Sequence, residues 1–135
     1  MNYRHYTPIV KFWFLIGCRP SEAIGLTWGN VSDASSAVIF NGSIQTIRGV
    51  QVRSELSKNN KVRSLAVSLR VQELLKSRRP LDADPLSLVF PSLKGKAINY
   101  PNFLTKVWGK IVDLIKPNTT PYNCRDTFFY YASMN

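Results

Sequence analysis

Arg19 stands in Gly17-Cys18-Arg19-Pro20-Ser21-Glu22-Ala23, between an apolar stretch and the start of a short helix. A guanidinium there can aim its planar five-donor fork at a phosphate beside a helix N-terminus, where backbone N–H groups also favour an anion. The competing reading pairs Arg19 with Glu22. Lys58 and Lys61 flank Asn59-Asn60. A lysine beside a hairpin tip can reach into a DNA groove as a mobile point charge or donate a proton; the competing reading is a solvated turn lysine. Arg125 lies in Pro121-Tyr122-Asn123-Cys124-Arg125-Asp126-Thr127, one turn into a final helix. Tyr122, three residues earlier, shares that helix face, so both side chains can meet one ligand. Without a ligand, Arg125 would pair with Asp126 at the surface and Tyr122 would pack in the core.

Other chemistries find little support. The chain has no P-loop, no dinucleotide glycine fingerprint and no zinc motif. Its one histidine, His5, lies near the terminus and makes a catalytic triad or a protein-only zinc site improbable. Cys18 and Cys124 give neither metal-ligand spacing nor a disulfide framework, and read as reduced, packed thiols. No metal and no cofactor is expected.

Charge points to a partner. Eighteen Lys and Arg against eight Asp and Glu leave a net charge of +10 and a pI near 10.0. Such an excess favours a polyanion through phosphate neutralisation and counterion release. An anionic membrane surface would compete, but no strongly amphipathic basic helix stands out at either end. The densest apolar stretch, Ile9 to Ile16, is interrupted by Lys11 and is far shorter than the ~20 residues a spanning helix needs. With no secretory cleavage site either, the expectation is a cytoplasmic, DNA-associated protein without a membrane partner.

The elements that must position these residues follow from periodicity. The 135 residues, 44% hydrophobic and 19% charged, suit one folded domain. Residues 7–16 are apolar on all sides except Lys11, which predicts a buried helix ended by Gly17. Pro20 fits the first turn of a second helix over 21–26. Gly29-Asn30 and the serine-rich 32–36 form a break. Between 37 and 68 the period becomes two, at Val38-Ile39-Phe40, at Val50 and Val52, and at Leu65 and Val67. This predicts a small antiparallel sheet of about three strands, with Asn59-Asn60 as a tight turn. Residues 69–79 then read as a helix with Val71, Leu74 and Leu75 on its core face. Lys76, Arg78 and Arg79 oppose the dipole at its end. A loop over 80–91 contains the apolar Leu88-Val89-Phe90. Asn99 can cap a long helix over 100–115 with Phe103, Val107, Trp108, Ile111 and Ile115 inward, and Thr120 can cap a last one from Pro121. The class is α+β, mainly helical: a small three-stranded antiparallel sheet packed with a helical bundle.

The order of these segments resembles the tyrosine recombinase, or phage integrase, catalytic domain. Gly17-Cys18-Arg19-Pro20-Ser21-Glu22-Ala23-Ile24-Gly25-Leu26-Thr27-Trp28 is similar to the signature around that family's first catalytic arginine, Thr-Gly-Leu-Arg-x-Ser-Glu-x-x-x-Leu-x-Trp. Ser57-Lys58-Asn59-Asn60-Lys61-Val62-Arg63 resembles its lysine hairpin, Thr-Lys-Thr-Gly-Lys-x-Arg. Val89-Phe90-Pro91-Ser92 with Gly95 resembles its Phe-Pro stretch. Thr120-Pro121-Tyr122-Asn123-Cys124-Arg125-Asp126-Thr127-Phe128 resembles its His-x-x-Arg-His-Thr-Phe box, with Tyr122 and Asp126 in place of the two histidines.

The resemblance covers about residues 7 to 135 and implies an incomplete catalytic domain. The core-binding domain, the later His or Trp and the nucleophilic tyrosine belong to segments outside the 135 residues, and Tyr130 and Tyr131 come too soon after Arg125 to replace the nucleophile. An intact parent would be a site-specific recombinase of a mobile element. It would carry out DNA integration or recombination by strand breaking and rejoining through a 3′-phosphotyrosyl link, with double-stranded DNA as partner and self-assembly on it. The implied site is Arg19, Lys58, Tyr122 and Arg125. The two arginines would clamp the phosphate and Lys58 would be general acid. Whether the 135 residues are themselves catalytic stays open; the alternative is a basic DNA-binding module or degenerate recombinase remnant without chemistry.

Overall fold

The computed structural model describes residues 3–54, 63–108 and 121. After a 3₁₀ turn at Tyr3–Tyr6, helix α1 (Thr7–Ile16) buries Ile9, Phe12, Trp13 and Ile16. That spacing of three, four and seven places all four on one face. Lys11 and Phe14 turn outward, so α1 is buried along a stripe and not all round. Gly17 ends it in the left-handed region (φ 70°, ψ 28°) and donates its N–H to Trp13 O at 3.1 Å. A side chain would make that conformation costly, which explains a glycine there. Helix α2 (Pro20–Ile24) follows directly, with Pro20 at its first position.

The strand region departs from the expected single three-stranded sheet. Strands β1 (Ala37–Phe40), β2 (Ser43–Ile47), β3 (Val50–Ser54) and β4 (Arg63–Ala66) form two antiparallel ladders of two strands each. β2 and β3 close through Arg48-Gly49, in register from Ser43↔Ser54 to Ile47↔Val50. Both turn residues have positive φ, 51° and 79°, as a two-residue hairpin that follows strand twist requires. β1 pairs with β4, from Ala37↔Ala66 to Phe40↔Arg63. β2 escapes periodicity because its Ile44 and Ile47 are three apart, so no period-two pattern marks it. The proposed Asn59-Asn60 turn lies outside the described residues.

Helix α3 (Leu69–Arg78) starts where Ser68 Oγ accepts the N–H of Val71 at 3.4 Å, and it buries Val71 and Leu75. Its terminal arginines are clamps. Arg78 Nε and Nη2 donate to Val89 O at 3.2 and 3.0 Å, and its guanidinium lies over the Phe90 ring. Burial lowers the Arg78 pKa by penalising the charged form. Arg79 Nη1 donates to Ser32 O at 2.6 Å, with its guanidinium over Trp28. The expected apolar element of the loop docks along the residues after α2: Val89 N–H donates to Leu26 O at 2.9 Å and Trp28 N–H to Ser87 O at 3.0 Å.

Helix α4 (Tyr100–Phe103) is capped by Asn99, whose Oδ1 accepts the N–H of Asn102 at 3.2 Å. It runs on as a π-helical turn over Leu104–Trp108, burying Phe103, Val107 and Trp108. The rest of the expected long helix, with Ile111 and Ile115, lies outside the described residues. α1 is the hub of the core. Phe12 meets Phe40 and Phe90, with centroids 6.4 and 5.0 Å away, and Trp13 meets Phe103 and Trp108 at 5.7 and 6.2 Å. Each such ring contributes burial of roughly 1.5–3 kcal/mol. Among the described residues no helix is long and apolar enough to cross a membrane.

Candidate phosphate-binding site

Arg19 is the N-cap of α2, in extended conformation (φ −68°, ψ 144°). Its neighbours Cys18 and Pro20 are buried, while Arg19 itself is exposed. The core therefore grips the backbone on both sides and leaves the guanidinium outside. Glu22, at the third helical position, accepts the main-chain N–H of Arg19 on Oε1 at 2.8 Å, and the Glu22 N–H donates to Arg19 O at 3.0 Å. This closure satisfies amides that a helix start leaves without partners.

The same carboxylate takes a second partner. Arg63, the first residue of β4, donates from Nη2 to both Glu22 oxygens at 2.9 and 3.0 Å. Glu22 is only 13% exposed, and Arg63 lies over the Phe40 ring opposite it in the ladder. Glu22 is thus engaged by a main-chain amide and by a distant arginine. Among the described residues no side chain pairs with the Arg19 guanidinium. Glu22 does not neutralise the Arg19 side chain, as the local sequence allowed; it shapes the Arg19 backbone instead.

The other end of α2 is held as firmly. Arg53 of β3 donates from Nη2 to Gly25 O at 3.2 Å. A Cβ on Gly25 would lie 2.9 Å from Ile44 N, so only glycine lets the helix end approach β2 this closely. Arg63 and Arg53 are the positioning residues that sequence reasoning missed. Their partners lie 41 and 28 positions away, and nothing in the local pattern marks either pair.

Of the four expected site residues, Arg19 is placed as described. Lys58, Tyr122 and Arg125 lie outside the described residues, as do Lys61, Tyr130 and Tyr131. Pro121, just before Tyr122, is helical and buried. Cys18 is a buried thiol outside any disulfide. Among the described residues no three His, Cys, Asp or Glu side chains gather to hold a metal ion.

The succession of buried helix, arginine-capped short helix, paired strands, helix and aromatic-rich helix gives an integrase-like fold. Particular solved structures share it. The Tn1549 transposon integrase in complex with transposon right end DNA superposes with a TM-score of 0.75 at 20% identity, over 98% of this chain and 48% of that one. The same integrase with a circular intermediate DNA gives 0.73 at 21% identity, over 93% and 44%. The chain thus spans less than half the length of these relatives, and the likeness is one of fold. No protein-family model and no curated protein matches the sequence.

Proposed function

We propose that these residues form part of the catalytic domain of a DNA strand-exchange enzyme and supply donors that clamp the reacting phosphate. The observation that carries this reading is the Arg19 guanidinium: exposed, on a backbone fixed from both sides, with Glu22, the acid of its own capping turn, committed elsewhere. A preorganised donor of this kind stabilises charge that develops on a phosphate without reorganising as the reaction proceeds. The fold shared with DNA-bound integrase structures supports duplex DNA as the partner.

The chemistry is a transfer between oxygens. A tyrosine hydroxyl, from a segment beyond these residues, attacks the phosphorus and the 5′-oxygen leaves, which gives a 3′-phosphotyrosyl link. A 5′-hydroxyl from the partner strand then displaces the tyrosine, so the phosphodiester bond energy is kept. Arg19 and Arg125 hold the nonbridging oxygens, and Lys58 protonates the leaving 5′-oxygen. Tyr122 donates a hydrogen bond to the phosphate; a phenol pKa of about 10 makes it a poor base near neutral pH. Self-assembly on DNA belongs to the same proposal. Tyr122 and Asp126, where the family pattern has histidines, favour the second reading of a non-catalytic DNA-binding module.

A nicked suicide duplex separates the two. The 135 residues alone should bind it without a covalent adduct. The longest reading frame containing them should form a denaturant-resistant adduct, and Arg19→Ala should cut its rate by about 100-fold or more with little loss of duplex affinity. No adduct from the longer chain would establish the non-catalytic module. An adduct at Tyr130 or Tyr131 would move the nucleophile into these residues and overturn the roles of Tyr122 and its neighbours.

A further inference from the structure

A second concentration of positive charge lies away from Arg19. Lys94, Lys96 and Lys106 line one groove of about 380 Å³ between the Ser92–Asn99 turn and α4, and among the described residues no carboxylate contributes to its walls. Gln51, Asn99, Asn102, Ser92 and Tyr6 are among its other lining residues. The turn that presents two of these lysines is locked. Ser92 N–H donates to Lys96 O at 2.7 Å, Gly95 N–H to Ser92 O at 2.9 Å, and Gly95 holds φ at 80°. All three lysines are exposed, and among the described residues none has a side-chain partner. Like charges gathered along one groove repel, and an anion bound between them relieves that repulsion.

The groove is mechanically continuous with α2. Gln51 Nε2 donates to Ala97 O at 2.8 Å, which fixes the groove wall to β3. Two residues along that strand Arg53 holds Gly25 O at the end of α2. Strand rise gives about 7 Å for the first interval and helix rise about 9 Å from Gly25 back to Arg19. A path on the order of 15 Å corresponds to several nucleotide steps at ~3.4 Å each along a strand. A small anion cannot touch both places; a polyanion can.

We infer that Lys94, Lys96 and Lys106 form a backbone-phosphate site for duplex DNA, several nucleotides from the phosphate held at Arg19. The inference rests on the strand-exchange reading for the identity of the polyanion, but its lysines are separate from the proposed chemistry. Lysines gathered this way act as point charges, so the site positions DNA without reading its sequence.

The test is duplex binding by the 135-residue chain, followed by anisotropy over a range of salt concentrations. Replacing all three lysines by alanine should flatten the slope of log affinity against log salt by about 0.9 for each phosphate no longer neutralised. Removing three exposed cations elsewhere, Lys11, Arg70 and Lys76, should leave the slope near wild type. The triple Lys→Arg variant should keep it. If the triple alanine variant melts early, the single changes Lys94→Gln and Lys106→Gln should each lower the slope by about 0.9. An unchanged slope, or equal losses from both triple alanine variants, overturns the site. So does a change confined to anionic lipid vesicles with duplex binding intact. Adduct formation that needs Arg19 alongside an unchanged slope would sink the groove and spare the enzyme. A flattened slope with no adduct from the longer reading frame would do the reverse.

Discussion

Glu22 serves two donors at once, and that double duty decides what its loss would cost. Arg63→Ala would leave the mostly buried carboxylate with only the Arg19 amide. A charge-assisted contact of this kind is worth about 1–3 kcal/mol, and the half-exposed Arg63 places the cost toward the lower end. Glu22→Gln keeps an acceptor for the Arg19 N–H and should cost less than Arg63→Ala in urea unfolding. A larger loss from Glu22→Gln would mean that the carboxylate's charge contributes beyond its pairing with Arg63, at the helix start as well. Arg79→Ala should cost about 2 kcal/mol, because it frees the Ser32 carbonyl and uncovers Trp28. Arg78 carries a pH consequence of opposite sign to the familiar carboxylate one. Its pKa is lowered on folding, so the folded state binds that proton less tightly than the unfolded chain. The burial cost is present at every pH below the lowered value and is relieved only as pH rises through it. Arg78 should therefore add no acid limb to the stability profile, and a profile of Arg78→Met that differs in shape from wild type on the acid side of neutrality would contradict this.

At the scale of elements, the end of α2 and the β2–β3 turn make opposite demands on glycine. Gly25→Ala should destabilise by roughly 1–3 kcal/mol, since its Cβ would press on the backbone of β2 at Ile44. In the β2–β3 turn the strain is at Arg48, a non-glycine residue with φ 51°. Arg48→Asn should raise the melting temperature, because asparagine tolerates that conformation and gains up to about 1 kcal/mol there. A lower midpoint would show that Arg48 makes a compensating contact. Helices were the legible part of this chain: Gly17, Pro20 and Asn99 mark their ends as well as their existence. Strands were legible where one face meets the core, as at Val38 and Phe40. β3 was legible as well, from Val50 and Val52, although its whole length is exposed, whereas β2 was not, because Ile44 and Ile47 are three apart. Their pairing depends on a turn written Arg-Gly in place of the commoner Asn-Gly. Arg19 was legible as a candidate because a motif surrounds it; Arg63 closes the resembled lysine hairpin, but its pairing with Glu22, like that of Arg53 with Gly25, was not legible, because partners 41 and 28 positions away leave no spacing to read.

For the molecule as a whole, net charge overstates the force available for DNA. The chain carries +10, yet Arg63, Arg78 and Arg79 turn their guanidinium groups onto Glu22, Val89 and Ser32 within the fold. A cation already engaged inside the protein releases no counterion when DNA arrives, so only the outward set contributes to salt dependence. The 135-residue chain should bind duplexes of unrelated sequence with similar affinity, with a log–log salt slope of about −4 to −6 from a handful of contacts. Because ligand binding to the folded state raises its stability by mass action, a short duplex of any sequence should also raise the melting temperature at low salt, and high salt should abolish the increase. A slope near −9, the value for about ten phosphates neutralised, would mean that most of the outward cations contact phosphate at once. A flat slope, or a strong preference between unrelated duplexes, would remove backbone phosphate as the principal ligand and with it the purpose assigned to the exposed guanidinium of Arg19.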